Sequence, residues 1–176
     1  LFRLKPWALS PDQARVDLLG SGAILNQVLK AQEILESQYG VAASVWSATS
    51  YKELFRDATQ TERWNMLHPD REPRVPYVSA CLGNAQTVVA ASDYIKALPL
   101  TISRWLPDSF VALGTDGFGR SDGRAALRDF FEVDHRFVVV AALSALARRD
   151  DLGRAVVMKA IRDLEINPEK VDPMTA

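Results

Sequence analysis

The chain is poor in the residues that build metal centres and cross-links. It has one cysteine, Cys81, and two histidines, His68 and His135, in 176 residues. One cysteine excludes an internal disulfide and suits a reducing compartment, so the expected location is the cytoplasm. Neither histidine stands in the tight Cys, His and carboxylate spacing of a zinc site, so no metal is expected here. Long apolar runs are also missing, and nothing approaches the ~18 residues needed to cross a bilayer. A net charge of -1 gives no field that gathers nucleic acid or an anionic membrane, which removes both as partners. The opening Leu-Phe-Arg-Leu-Lys-Pro-Trp7 has no basic start with an apolar run behind it, unlike a secretion signal. It has no initiator methionine either, which points to a piece of a longer polypeptide.

What remains is a balanced globular composition of 48% hydrophobic and 24% charged residues. The length suits one domain, residues 1–176, with a core of its own. Phe2 to Lys5 alternate in character and stop at Pro6, as in an edge strand. Ser10-Pro11-Asp12 reads as a turn. Val16 to Gly20 reads as a buried strand, followed by a helix with Ile24, Leu25, Val28, Ala31 and Leu35 on one side and Gly40 at its stop. Val41 to Ala48 is a second core strand, which completes a βαβ unit and implies a parallel sheet.

Ser50 with Glu53, and Thr59 with Glu62, both have capping-box spacing, so two short helices are expected there. A proline-stiffened connector, His68 to Pro76, leads to a helical turn over Tyr77 to Leu82. Thr87 to Ala91 is a third strand, with Ser92 or Asp93 as cap of the next helix. Pro99 kinks or restarts that helix, with Ile102, Trp105 and Leu106 on its buried side. Phe110 to Leu113 is the last strand. Asp134 caps a segment from His135 to Ala147. Its Phe137 to Val140 portion suits strand or helix equally, although the length and alanine content favour helix. Val156, Val157, Ala160, Ile161 and Leu164 mark a final amphipathic helix. The fold class is therefore α/β, a three-layer α/β/α domain.

The stretch with most chemistry is Val111-Ala-Leu-Gly-Thr-Asp-Gly-Phe-Gly-Arg-Ser-Asp122. It runs from a strand through a glycine-rich loop into a helix, and in α/β sheets such loops meet ligands and partners. Gly114, Gly117 and Gly119 suit backbone angles that strain other residues. Ser121 or Asp122 is placed to cap the following helix. Asp116, Arg120 and Asp122 suit a charged ligand, or pairing with one another. Ser121 lies in a literal Gly-x-Ser-x-Gly, but as a helix cap with only His135 downstream it reads as a chance match to a hydrolase elbow. Gly20-Ser-Gly22 opens the first helix as a phosphate-binding turn does. Leu25 occupies the third glycine's place, so a tight βα turn is the better reading. His135, at a helix start, is expected to be neutral. Cys81 reads as a buried, inert thiol. Trp64, with Arg63 beside it, reads as an interface anchor or as core.

One ordered set of segments is specific. Thr61-Glu-Arg-Trp-Asn-Met-Leu-His-Pro69, Arg74-Val-Pro-Tyr-Val78, Ala91-Ser-Asp-Tyr94, Leu113 to Asp122, Phe131-Glu-Val-Asp134 and Val138 to Leu143 occur in this order. Together they resemble the C-terminal, transketolase-type domain of the homodimeric pyruvate dehydrogenase decarboxylating component. The resemblance runs from about Val16 to a closing Ile166-Asn-Pro-Glu-Lys-Val-Asp-Pro173. It implies a five-stranded, mostly parallel sheet with one antiparallel edge strand, supplied by Phe2 to Lys5, and it resolves the Phe137 segment as helix. It also implies an enzyme that decarboxylates pyruvate on thiamine diphosphate with Mg2+. The acetyl group then passes to a lipoyl arm of the dihydrolipoyl acetyltransferase.

In that family the cofactor and metal are held by other domains across a homodimer interface, and the Gly-Asp-Gly…Asn-Asn motif that holds them does not occur here. The implied partners are thus the rest of the polypeptide, the dimer partner and the acetyltransferase. No catalytic, cofactor-binding or metal-binding residue carries over to this chain. Asp116, Phe118, Arg120 and Ser121 are the candidates for lining the active-site channel or an interface, with Trp64 and Arg63 as a second interface candidate. The competing expectation is a standalone, non-catalytic α/β binding or assembly module.

Overall fold

The computed structural model describes residues 1–7 and 13–176, so the expected turn at Ser10 to Asp12 lies outside the described residues. Five strands form one sheet in the order β1-β3-β2-β4-β5. They are β1 (Phe2–Lys5), β2 (Arg15–Gly20), β3 (Ala42–Ser47), β4 (Val88–Ala91) and β5 (Phe110–Leu113). β1 runs antiparallel to β3, and the other pairings are parallel. The expected edge strand and mixed sheet are both present.

Side chains alternate across each strand, and the two faces make two cores. Val16, Leu18, Val45 and Val89 face α1 (Leu25–Tyr39) and α6 (His135–Arg148). Leu19, Trp46, Val88 and Ala90 face α2 (Tyr51–Leu67) and α3 (Tyr77–Leu82). This is the three-layer arrangement that the patterns imply. α1 stops at Gly40, whose φ of 63° is the left-handed conformation glycine adopts without strain. Asp134 caps α6 by accepting from the Arg136 and Phe137 amides at 2.9 and 3.3 Å.

Three local expectations fail. The two short helices are one: α2 runs unbroken from Tyr51 to Leu67. Thr59 does not cap, because its hydroxyl turns back to the Phe55 and Arg56 carbonyls at 2.9 and 3.0 Å, a bond available inside a continuing helix. Ser92 and Asp93 do not cap either. The next helix, α4 (Ala97–Leu100), begins at Lys96 with no side-chain cap, and a 3-10 turn follows at Ser103–Trp105. Ile102 is fully buried there, while Trp105 and Leu106 are half-buried. Cys81 is half-buried as well.

The second core holds one charge. Asp17 is buried beside Trp46 and accepts from its indole N–H at 2.7 Å. Burial pushes its pKa above the ordinary 3.8, a rise opposed by the Trp46 hydrogen bond and then by Arg3 and Arg15. Between 3.8 and the raised native value, the folded chain holds this proton more tightly than the unfolded chain, so stability falls as pH rises. Asp17→Asn removes that dependence. Urea midpoints across the acid range should show wild-type stability falling relative to the variant as pH rises, then levelling. The opposite trend would show that Asp17 is not strained by burial.

The candidate site at the end of the sheet

The order β3-β2-β4 reverses the direction of winding at β2, so the loops after β2 and β4 diverge. Such a reversal opens a crevice beyond the carboxyl ends of the strands. A cleft of about 540 Å³ occupies it, with Ile24 after β2, Asp93 after β4 and Thr115 after β5 on its walls.

The glycine-rich loop forms one side of this cleft and is stitched to its neighbour. Thr115 donates its amide to the Tyr94 carbonyl at 2.9 Å and its hydroxyl to the Asp93 carbonyl at 3.0 Å. Asp116 accepts from the Lys96 amide at 3.0 Å and lies 3.6 Å from the Lys96 ammonium. Its role here is to fasten the loop, and it pairs with neither Arg120 nor Asp122. Of the three glycines, only Gly117 has positive φ, at 101°. Gly114 is needed for a different reason: a Cβ there would lie 2.5 Å from the Tyr94 carbonyl oxygen. Gly119 faces open space.

The remaining candidates are spread around the loop. Phe118 is 86% exposed at the loop's tip. Arg120 lays its guanidinium over the Phe130 ring at 4.0 Å and lines the cleft. Ser121 does not cap the next helix, α5 (Arg124–Phe130), which starts behind Gly123 without a side-chain cap. Asp122 reaches only the Gly123 amide, at 2.6 Å. The sequence reading missed Arg124 and Arg128, which join Arg120 on the cleft wall. Their i, i+4 spacing was the signal, since it puts both on one face of α5.

Trp64 lies away from this cleft, near the end of α2. The Arg74 guanidinium covers one contact at 3.7 Å and the His68 ring another at 4.4 Å, nearly parallel at 12°. Asn65 exchanges two 2.8 Å hydrogen bonds with the Arg74 backbone. The proline connector is thereby clamped to α2, and Arg63 stands exposed beside it. His135 has a pKa lowered first by burial, with Lys30 and Arg136 adding to the effect and Asp134 opposing it. The expected neutrality therefore has burial as its main cause. Among the described residues, no group of three or more His, Cys, Asp or Glu side chains is placed to hold a metal ion, and no helix is long and apolar enough to cross a membrane.

A sheet that is parallel but for its antiparallel first strand, with helices on both faces, defines a three-layer α/β/α domain. Residues 2–134 match the transketolase-like C-terminal domain, and the chain belongs to that family. It is 49% identical over 161 residues to the pyruvate dehydrogenase E1 component of Pseudomonas aeruginosa, covering 90% of this chain and 18% of that protein. With the E1 component of Escherichia coli K12 it shares 48% over 165 residues, 93% of this chain and 18% of the relative. With that of Buchnera aphidicola (subsp. Schizaphis graminum) it shares 42% over 177 residues, the whole of this chain and 20% of the relative. The chain thus spans about a fifth of the length of the curated relatives it matches.

Proposed function

We propose that this chain is the C-terminal domain of a pyruvate dehydrogenase decarboxylating component. The observation that carries the reading is near-half identity, sustained over nine-tenths of the chain, to proteins of that name. The whole enzyme would oxidatively decarboxylate pyruvate in the cytoplasm and pass the acetyl group to the lipoyl arm of a dihydrolipoyl acetyltransferase. Thiamine diphosphate and Mg2+ would be held by other domains of that enzyme. Thiamine diphosphate supplies the carbanion stabilisation that decarboxylation requires.

Residues 1–176 would act as one domain that contributes fold and contacts within a homodimer. The Asp116 to Ser121 loop faces the active-site channel or the dimer partner in this reading, with Phe118 as the contact. Support comes from the loop's construction: Asp116 holds its base while an almost fully exposed aromatic stands at its tip. Arg63 and the edge of Trp64 form a second candidate contact. The loop is tested by Phe118→Ala in the full-length enzyme. Losing one buried aromatic anchor should weaken dimerisation or turnover about tenfold. Turnover and dimerisation equal to wild type would remove the loop from the functional account.

A further inference from the structure

The cleft at the end of the sheet carries an unbalanced positive charge, and the chain as a whole does not. Arg120, Arg124 and Arg128 line it against one carboxylate, Asp93. Some arginines elsewhere are paired, Arg56 with Glu53, Arg104 with Glu62, Arg136 with Asp129 and Asp134, and Arg149 with Asp151. Others, such as Arg63 and Arg154, stand singly on the surface, and what sets the cleft apart is three arginines on one cavity wall. The three cleft arginines take part in no salt bridge among the described residues. Asp93 does not neutralise them either. Its carboxylate sits beside Gly22, at the start of the helical segment that leads into α1, where the helix field favours negative charge.

We infer that this cleft is a binding site for a compact phosphate-bearing anion. Three arginines line one cavity and offer more N–H forks than its single carboxylate can fill. A phosphate group presents three oxygens and close to two charges, and guanidinium forks match its geometry. Arg120 rests its guanidinium 4.0 Å from the centre of the Phe130 ring, a cation–π contact that restricts its swing at the rim of the cleft. Arg124 and Arg128 ride one face of α5, so their separation is set by a helix and not by a free loop. The apolar floor of Ile24, Leu127, Phe131 and Val133 suits the carbon part of a phosphorylated metabolite. The volume falls within the range of small-molecule sites, roughly 300–1,000 Å³. With one carboxylate and no metal-holding group, the cleft does not suit a metal–diphosphate pair. The site is thus separate from the thiamine diphosphate chemistry proposed for the whole enzyme and does not depend on that reading.

The test uses the native full-length polypeptide and a readout specific to these side chains. Phenylglyoxal modifies accessible arginines, and peptide mass spectrometry then gives the rate at Arg124 and Arg128 separately. Inorganic diphosphate should slow both by about tenfold, the effect of a bound anion at roughly ten times its dissociation constant. Malonate at matched ionic strength should slow them little. Arg124→Gln should raise the diphosphate concentration needed to protect Arg128 by about tenfold, or 1.4 kcal/mol. Circular dichroism confirms that this exposed substitution leaves the fold intact. Diphosphate held at another site would not shield these two arginines.

Three outcomes overturn the inference. Equal rates with and without diphosphate would leave no bound anion, and equal protection by malonate would leave only general charge screening. Arginines already unreactive in the native polypeptide would mean that another part of that protein fills the cleft.

Discussion

Gly117→Val should destabilise the 176-residue chain by about 3 kcal/mol, from a left-handed backbone that valine resists and a clash that needs backbone movement. Gly117 has φ at 101°, and a Cβ on it would lie 2.1 Å from the Pro173 carbonyl oxygen and 2.9 Å from the Pro173 carbonyl carbon. Both neighbours are main chain, so no side chain can swing aside. Pro173 is buried while its neighbours Asp172 and Met174 are exposed, so the cheapest relief is to lift the tail off the loop. The variant should therefore show a lower urea midpoint together with faster proteolysis after residue 170. Gly119→Val is the internal control, since that position meets nothing within 4 Å and has no positive φ. It should stay within about 0.5 kcal/mol of wild type, as exposed positions without special geometry do. Equal effects from the two valines would show that the tail contact does not hold the loop.

Asp134→Ala should cost about 2 kcal/mol, combining a lost helix cap with a weakened charge pair. Asp134 is buried and does two jobs at once. One oxygen takes the Arg136 and Phe137 amides, and the other takes the Arg136 guanidinium at 2.8 and 2.6 Å. The helix it starts, α6, packs Val138, Val139, Ala142, Leu143 and Leu146 into the first core, so fraying at its end reaches the sheet. For a chain of this length the melting temperature should fall by roughly 4–8 °C. Asp134→Asn separates the two jobs, because asparagine caps about as well as aspartate but carries no charge. It should recover more than half of the loss. An asparagine variant as unstable as the alanine variant would place the stability in the ion pair and not in the cap.

Much of this domain is legible in order along the chain. The elements of the β2-α1-β3 unit, the Gly40 stop and the Asp134 cap depend on residues within about four positions of one another, the range over which helix periodicity and capping operate, whereas the Phe137 segment was resolved as helix by the resemblance. The resemblance added the antiparallel edge strand, which Phe2 to Lys5 form against β3. Where local rules compete, the sequence misleads. Thr59 and Glu62 have the spacing of a cap, yet a threonine inside a helix can instead turn its hydroxyl to a carbonyl one turn back, and packing of α2 against the sheet decides between the two.

The candidate site depended more on distant contacts. Three glycines in one loop look alike in sequence, but Gly117 answers to Pro173 far downstream, Gly114 to Tyr94, and Gly119 to nothing. Ser121 and Asp122 were read as caps because the start of α5 cannot be placed from its own residues. The gathering of Arg120, Arg124, Arg128 and Asp93 around one cleft needs β4 and β5 to lie side by side, with the loops after β2 and β4 parting. Periodicity and capping are short-range and set the elements, the sheet and its two apolar faces. Chain reversal at β2 and the tail's return over the loop are long-range, and the tertiary structure alone decided which charges and glycines came to matter.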